Sequence, residues 1–239
     1  MKMINTIMFD LDGTLLSIDM DDFEKYYFGS LTEALKGFVE PDEFSRILFS
    51  SMKAMVMNTE FKTNEVVFMD AMESLVKEDL AEYKTRFGDY YKKGFDVLRN
   101  AVLDTREMQE ASTALLKKGY KLVIATNPLF PQMAINKRIE WAGLDRKDFS
   151  YVSYFEKSHY CKPNIEYYEE ILTEIGKRPE ECMMVGNDVQ EDLIAGKIGI
   201  ATYLITDHLL NRKNLEIQAD HTGSYKDFLS FVKGLPNLN

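Results

Sequence analysis

The first strand-like stretch of the chain ends in a cluster of polar residues. Residues 4–9 read Ile-Asn-Thr-Ile-Met-Phe, and Asp10, Asp12, Gly13 and Thr14 follow at once. Side chains two apart on an extended strand point to the same side, so Asp10 and Asp12 can converge beyond the strand's carboxyl end. Two ionised carboxylates repel each other there, so the pair needs a nearby cation or hydrogen-bond donors. The pattern predicts a strand that opens into a phosphoryl-transfer site, and an ordinary polar turn is the alternative.

The pattern changes after this segment. From about Ser17 to Arg99 the chain is charged and rich in methionine and aromatic residues, and its apolar residues recur at helical spacing. The methionine and aromatic stripes are interpreted as core rather than as ligand contacts. Four helical stretches are expected, at about 23–38, 44–56, 66–75 and 80–91.

From about Ala101 helical and strand patterns alternate, which is typical of βαβ units. The predicted elements are helix 105–118, strand 120–125, helix 131–141, strand 151–155, helix 164–175, strand 182–185, helix 190–197, strand 201–205 and helix 225–232. Together with strand 4–9 they predict an α/β fold with a doubly wound, mostly parallel sheet. Because strand 4–9 precedes the helical stretch, we expect a catalytic α/β core at 1–16 and 99–239, with an all-helical cap domain, 17–98, inserted after the first strand.

Ligands of such sheets bind beyond the carboxyl ends of the strands, so polar residues that follow a strand are candidates. Thr126 and Asn127 follow strand 120–125 and offer a hydroxyl and an amide that can grip a phosphate oxygen. A plain Thr-Asn-Pro turn is the alternative there. Lys162 precedes a proline and helix 164–175, which leaves its ammonium beside a helix amino end that favours anions.

An acidic loop follows the strand that ends before Gly186. Asp188 comes directly after this strand, and Asp192 stands four residues further on. Carboxylate oxygens suit Mg²⁺, which usually takes one or two carboxylates together with waters and phosphate oxygens. The alternative is that Asp188 caps the following helix, with Glu191 as its reciprocal partner.

Composition narrows the possible partners. The 239 residues carry a net charge of −10, which argues against a nucleic-acid-binding face because such faces neutralise phosphates with cations. No apolar run approaches the roughly 18 residues of a membrane span, and the first residues lead into a strand, so we expect a cytoplasmic protein without membrane contact. Cys161 and Cys182 lack a metal-site or disulfide spacing and are interpreted as reduced structural thiols.

Together these segments resemble the haloacid dehalogenase-like superfamily. The family's four motifs occur in the family's order: Asp10-x-Asp12-Gly13-Thr14, then Thr126, then Lys162-Pro163, then Gly186 with Asp188 and Asp192. The resemblance covers about 1–16 and 100–239. The insert is similar in position and helicity to the small helical caps of the first subfamily.

The resemblance implies a magnesium-dependent phosphomonoester hydrolase that acts on a small phosphorylated metabolite through an aspartyl-phosphate. Asp10 would be the nucleophile, Asp12 the general acid and then the general base, and Thr126 and Lys162 the clamps on the phosphoryl group and the nucleophile. The implied substrate-binding positions are Gly13, Thr14, Thr126, Asn127 and Lys162. The implied metal ligands are Asp10, Asp12 through its backbone carbonyl, Asp188 and Asp192.

One departure from the family pattern is Asn187, which separates Gly186 from the first carboxylate of the fourth motif. We expect Asp188 to lie closest to the strand-end pocket. Asp192, about one helical turn further, is expected behind it, where it orients Lys162 or a metal-bound water. Direct ligation by Asp192 is the alternative.

Two other functions remain open at this point: a sugar-phosphate mutase of the same superfamily, and a non-catalytic regulatory or binding protein on the same fold. The choice between a monomer and a homodimer is open too. Basic residues of the predicted cap are candidates for leaving-group contacts, namely Arg46, Lys53, Lys62, Arg86 and Lys93.

Overall fold

The computed structural model describes residues 4–77 and 79–238. Six strands form one sheet: β1 Thr6–Phe9, β2 Lys121–Ile124, β3 Phe149–Val152, β4 Cys182–Gly186, β5 Ala201–Ile205 and β6 His221–Gly223. The strand order is β3-β2-β1-β4-β5-β6, and every neighbouring pair is parallel. The chain winds in opposite directions from β1 and from β4, and the crevice at such a switch point is where ligands bind in doubly wound sheets. The predicted fold class is confirmed.

The described residues form eight α-helices: α1 Met20–Ala34, α2 Pro41–Val56, α3 Asn64–Glu73, α4 Leu80–Asp89, α5 Glu107–Lys117, α6 Gln132–Trp141, α7 Ile165–Ile175 and α8 Tyr225–Gly234. The last four pack on the two faces of the sheet, whereas α1–α4 belong to the segment between β1 and α5. The central strand β1 is buried on both sides, as parallel strands are. Ile7 and Phe9 pack into the cluster that contains α5, α6 and α8, whereas Met8 packs into the cluster formed with α7. The central position of β1 holds its carboxyl end, and therefore Asp10, in the middle of the sheet edge.

The structure corrects three sequence-based elements. The third strand is Phe149–Val152 rather than 151–155, because the chain turns at Tyr154 and buries Phe155 against Phe68 instead, with ring centroids 5.6 Å apart. The predicted helix 190–197 is only a 3₁₀ segment, Leu193–Ile198. The last strand, β6, was not predicted, because it has only three residues, which are largely exposed and show no apolar alternation.

The segment between β1 and α5 is helical, as expected. After α4 it continues as a π turn, Tyr90–Gly94, and a 3₁₀ segment, Phe95–Ala101. Its two ends are tied together, because Asp19 N–H donates to Ala101 O at 2.9 Å and Leu103 N–H donates to Ser17 O at 2.9 Å. This paired base gives the segment one compact attachment to the sheet, and its separate domain status, with bounds at 17–98, stays a prediction.

In the described part of the chain no helix combines the length and apolar character needed to cross a bilayer.

We predict that both thiols are unreactive in the folded protein. Cys161 and Cys182 are fully buried, and burial raises the pKa of each thiol to about 12, so both stay protonated at neutral pH. Because the thiolate is the reactive form, a disulfide reagent such as Ellman's reagent should label neither cysteine at pH 7.5 in native protein and both in guanidinium. Rapid labelling of either thiol in the native state would contradict this burial.

Candidate active site

Asp10 lies directly beyond β1, at the crevice between β1 and β4. Its backbone N–H donates to Val185 O at 2.9 Å, which extends the pairing of these strands by one residue. Its Oδ1 accepts a hydrogen bond from the Lys162 ammonium at 2.9 Å. Burial raises the pKa of Asp10 to about 6, although Lys162 lowers it. The carboxylate expected to attack phosphorus therefore has one oxygen held by a buried cation.

Lys162 is 1% exposed and touches two carboxylates. Besides Asp10, it donates to Asp192 Oδ1 at 2.7 Å. Burial by itself would lower the pKa of Lys162, but Asp10 and Asp192 together raise it well above its usual value. The ammonium therefore stays charged. Because Lys162 lies in the loop that precedes α7, its two ion pairs connect this loop to the end of β1 and to the turn after β4.

Asp192 lies behind the crevice with both oxygens engaged. Oδ1 accepts from Lys162, and Oδ2 accepts from the backbone N–H of Asp188 at 2.9 Å. A Cβ at Gly186 would overlap the Asp192 carboxylate, so only glycine leaves room for it at the end of β4. Burial raises the pKa of Asp192 to about 6, although Lys162 lowers it. The geometry favours the indirect position for Asp192.

Asp188 organises the turn after β4. Its Oδ1 accepts the backbone N–H groups of Gln190 and Glu191 at 2.8 and 3.0 Å, so its carboxylate does cap a turn. The reciprocal partner, however, is Asp192 and not Glu191, whose Oε2 accepts from the Asn127 amide at 3.0 Å. These side-chain contacts hold residues 188–192 in a tight turn, which explains why no regular helix begins at 190.

Asp12 pairs with Arg138, a residue that the sequence analysis missed. Arg138 Nη1 donates to Asp12 Oδ2, and the guanidinium carbon lies 4.4 Å from the Phe130 ring centroid. The Arg138 side chain is 1% exposed, and its Nε and Nη2, like Asp12 Oδ1, have no hydrogen-bond partner in the described structure. Burial raises the pKa of Asp12, although Arg138 lowers it.

A sequence signal for Arg138 existed. It occupies a position in the buried stripe of α6, which otherwise consists of Ala134, Ile135 and Ile139. An arginine in an apolar stripe needs a buried anion as partner, because an unpaired buried charge is costly. Only the fold shows that this anion is Asp12, 126 residues earlier in the chain.

Thr126 and Asn127 both lie at the end of β2 but in different roles. Thr126 is buried next to the crevice, and its carbonyl oxygen accepts from Ser153 Oγ at 2.6 Å and Tyr167 Oη at 2.7 Å. The Asn127 side chain instead accepts from the backbone N–H of Lys162 at 3.2 Å and donates to its carbonyl oxygen at 3.4 Å. Asn127 therefore positions Lys162, and its amide is engaged by protein groups.

Gly13, Thr14 and Asn187 form the frame behind the carboxylates. The Thr14 side chain is fully buried and its hydroxyl donates to Asn187 Oδ1 at 3.0 Å, while Asn187 Nδ2 donates to His208 O at 2.7 Å. Gly13 has a positive φ of 79° and packs against Asn187. Neither Gly13 nor Thr14 lines the crevice, so the geometry favours a structural role for both over the expected substrate contact.

A cavity of about 210 Å³, called the first cavity, opens in front of Asp10. Its polar wall contains Asp10, Asp12, Thr126, Asn127, Arg138, Asn187, Asp188, Glu191, Asp192 and Arg212. The opposite wall comes from the helical segment and consists of Met20, Phe23, Glu24, Tyr27, Phe28 and Met52, and Leu129, Phe130 and Leu210 complete the lining. The five basic candidates of the helical segment do not line it.

The polar wall fits a magnesium ion in donor chemistry, because Mg²⁺ takes hard oxygen ligands. Asp10 and Asp188 bring carboxylates to this wall from neighbouring strand ends. The five carboxylates of this wall outnumber the cations Lys162, Arg138 and Arg212, so a negative surplus remains for a divalent cation to balance. Within residues 4–77 and 79–238, however, no three Asp, Glu, His or Cys side chains already form a ligand cluster.

Arg212 occupies one oxygen of Asp188. Its guanidinium donates to Asp188 Oδ2 at 2.5 Å, and its side chain is 57% exposed. Asp188 itself is only 7% exposed. Because the Arg212 side chain lies largely in solvent, it can move away and leave Asp188 Oδ2 to a cation.

Comparison with known proteins adds a family match. A model of haloacid dehalogenase-like hydrolases matches residues 4–198. The pyrophosphatase PpaX of Bacillus cereus (strain AH820) is 25% identical over 214 residues, which cover 89% of this chain and 88% of that protein.

Solved structures resemble the fold over nearly the whole chain. A predicted phosphoglycolate phosphatase from Haemophilus somnus 129PT has a TM-score of 0.62 at 20% identity, over 97% of this chain and 99% of that one. A HAD phosphatase from Thermococcus onnurineus has a TM-score of 0.62 at 17% identity, over 98% of this chain and 100% of that one. At these identities the likeness concerns the fold.

We predict that Gly13→Ala destabilises the protein and lowers activity. A Cβ at Gly13 would be strained at positive φ and would push Asn187 away from Thr14 and His208. Left-handed backbone at a residue with a side chain costs about 1 to 3 kcal/mol, measurable by urea unfolding. Gly29→Ala in α1 is the control, because a Cβ there meets no atom within 4 Å. Equal unfolding midpoints for the two variants would contradict the prediction.

Proposed function

The chain belongs to the haloacid dehalogenase-like hydrolase family, and we propose that it is a magnesium-dependent phosphatase that hydrolyses a small phosphorylated metabolite through an aspartyl-phosphate on Asp10. The observation that carries the proposal is the Asp10 carboxylate at the β1–β4 crevice, 2.9 Å from the buried Lys162 ammonium. The phosphatase names of similar proteins support the reaction class.

In the first step, Asp10 attacks phosphorus with the oxygen that Lys162 does not hold. Lys162 orients the carboxylate and helps to keep it ionised, and Asp192 keeps Lys162 in place. Thr126, buried at the end of β2, would donate its hydroxyl to a phosphoryl oxygen. Positioning and charge neutralisation of this kind carry most of the catalysis in phosphoryl transfer.

Asp12 would move the protons in both steps. Protonated, it would donate to the leaving oxygen, and ionised afterwards, it would accept a proton from the water that attacks the aspartyl-phosphate. Arg138 holds Asp12 Oδ2, which fixes the carboxyl group beside Asp10. We assign Arg138 a positioning role for Asp12.

Asp10, the backbone carbonyl of Asp12 and Asp188 would hold Mg²⁺, with Asp192 behind them. The bound ion would supply positive charge against the phosphoryl oxygens. The helical segment would act as the cap and would exclude bulk water. The residues of this segment that line the first cavity would contact the leaving group.

We predict that Asp10→Asn abolishes phosphate release from an aryl phosphate, because the amide is a poor nucleophile. Asp12→Asn should lose about 100- to 10,000-fold, the usual contribution of a general acid or base. If Asp12→Asn also accumulates more acid-stable phosphoprotein than wild type, its main defect lies in the second step. Asp21→Asn, exposed on α1, is the control. A folded Asp10→Asn protein with near-normal turnover would remove the nucleophile assignment.

A further prediction separates Asp188 from Asp192. Asp188→Asn should raise the Mg²⁺ concentration needed for half-maximal activity and weaken the Mg²⁺-dependent rise in Tm, because a direct carboxylate is lost. Asp192→Asn should instead lower kcat and stability, because Lys162 loses the fully buried one of its two carboxylate partners. Magnesium titrations of activity and Tm on both variants distinguish the roles, and a larger metal defect in Asp192→Asn would reverse the assignment.

A further inference from the structure

A second cavity, also of about 210 Å³, adjoins the first cavity. The two share Tyr27, Met52, Leu129 and Phe130. The second cavity is further lined by Leu31, Leu48, Glu65, Phe68, Met69, Lys84, Phe87, Gly88, Tyr91, Pro131, Phe155 and Glu156. The second cavity therefore lies next to the first, against the same four side chains and on the side of the helical segment.

The walls of both cavities on the side of the helical segment are mainly apolar and aromatic. Glu24 is the charged residue that this segment contributes to the first cavity, and Lys84 is the basic residue of the second. The basic candidates from the sequence lie elsewhere. For example, Arg86 pairs with Glu82 at 2.8 Å and packs over the Phe38 ring. On these walls an anionic leaving group would meet one lysine, Lys84, against the three carboxylates of Glu24, Glu65 and Glu156.

Tyr27 is the residue with a polar side-chain group in the wall that both cavities share, which consists of Tyr27, Met52, Leu129 and Phe130. Its hydroxyl lies 2.9 Å from the Tyr91 hydroxyl, and burial raises the pKa of Tyr27 to about 12, so the pair stays uncharged at neutral pH. Met52 in the same wall is unbranched and adaptable. The shared wall can therefore accommodate an apolar chain or ring, and the Tyr27 hydroxyl can meet a neutral polar group on it.

We infer that the phosphate ester has an apolar leaving group, an alkyl or aromatic alcohol, whose body extends from the first cavity into the second. The inference rests on the proposed phosphatase function and specifies its substrate class. The phosphoryl group would lie against the polar wall, and the apolar body would displace water from the second cavity. Each methylene that enters should then increase kcat/KM about fourfold until the cavity is filled.

The test is a series of n-alkyl phosphates, from ethyl to octyl phosphate, with phosphoglycolate and pyrophosphate as small anionic comparators. From propyl onwards the leaving alcohols differ little in acidity, so a change in kcat/KM reports the fit of the chain. We expect a rise with chain length followed by a plateau, and poor turnover of both anionic comparators. Turnover that is flat with length, or that favours an anionic comparator, overturns the inference and leaves the phosphatase function intact.

Inhibitor binding separates this inference from the proposed function. The matching n-alkylphosphonates cannot be hydrolysed, so their dissociation constants, measured by calorimetry with Mg²⁺ present, do not depend on catalysis. Affinity should increase with chain length even if no ester is turned over. Turnover of none of the phosphate esters would overturn the proposed function, whereas phosphonate affinity independent of chain length would overturn the inference.

Two glycine variants test where the alkyl chain of the substrate binds. Gly88 in α4 lines the second cavity, and a Cβ there meets no atom within 4 Å, so Gly88→Leu should occupy part of the space and flatten the chain-length series. Gly29→Leu is the matched control, because Gly29 is an exposed helical glycine with equal free space and lines neither cavity. It should reproduce the wild-type series. If folded Gly88→Leu protein shows the same dependence of kcat/KM on chain length as wild type, the alkyl chain does not bind in the second cavity.

Discussion

The buried ammonium of Lys162 is the interaction on which the site depends. A charge with 1% exposure is tolerable only when paired, and its partners are Asp10 at the end of β1 and Asp192 in the turn that follows β4. The side-chain amide of Asn127, at the end of β2, binds both the backbone N–H and the carbonyl oxygen of Lys162. Loss of one carboxylate from such a cluster typically costs about 3 to 5 kcal/mol, because it leaves a charge uncompensated. Lys162 thus fixes the relative positions of the residues that follow β1, β2 and β4.

The same desolvation sets the chemistry of the crevice. Burial raises the pKa of Asp10 and of Asp192 to about 6, while the lysine between them is held protonated. Arg138 repeats this arrangement on α6, where it is buried beside Asp12 and under the Phe130 ring. The cluster retains more negative than positive charge, and a divalent cation would balance it.

The two sides of the first cavity differ in kind. The sheet edge presents charged groups that are fixed by mutual hydrogen bonds, whereas α1 and α2 present Phe23, Tyr27 and Met52. An apolar wall opposite a charged one lowers the local dielectric and strengthens the electrostatic interactions that act on a bound phosphate. The backbone hydrogen bonds at Asp19 and Leu103 give the helical segment a narrow attachment to the sheet. In the proposed function, substrate choice and chemistry would therefore be divided between separate parts of the chain.

The amino-acid sequence by itself determined the parallel α/β sheet, the inserted helical stretch and the meeting of Asp10, Thr126, Lys162 and Asp188 at one edge. This was possible because hydrophobic periodicity is local and parallel strands end on the same side of a sheet. Only the tertiary structure decided that Arg138 pairs with Asp12, that Thr14 faces Asn187, and that residues 188–192 form a turn instead of a helix. Those outcomes depend on contacts between residues far apart in sequence, or on side-chain hydrogen bonds that outweigh helix propensity, and local periodicity contains neither.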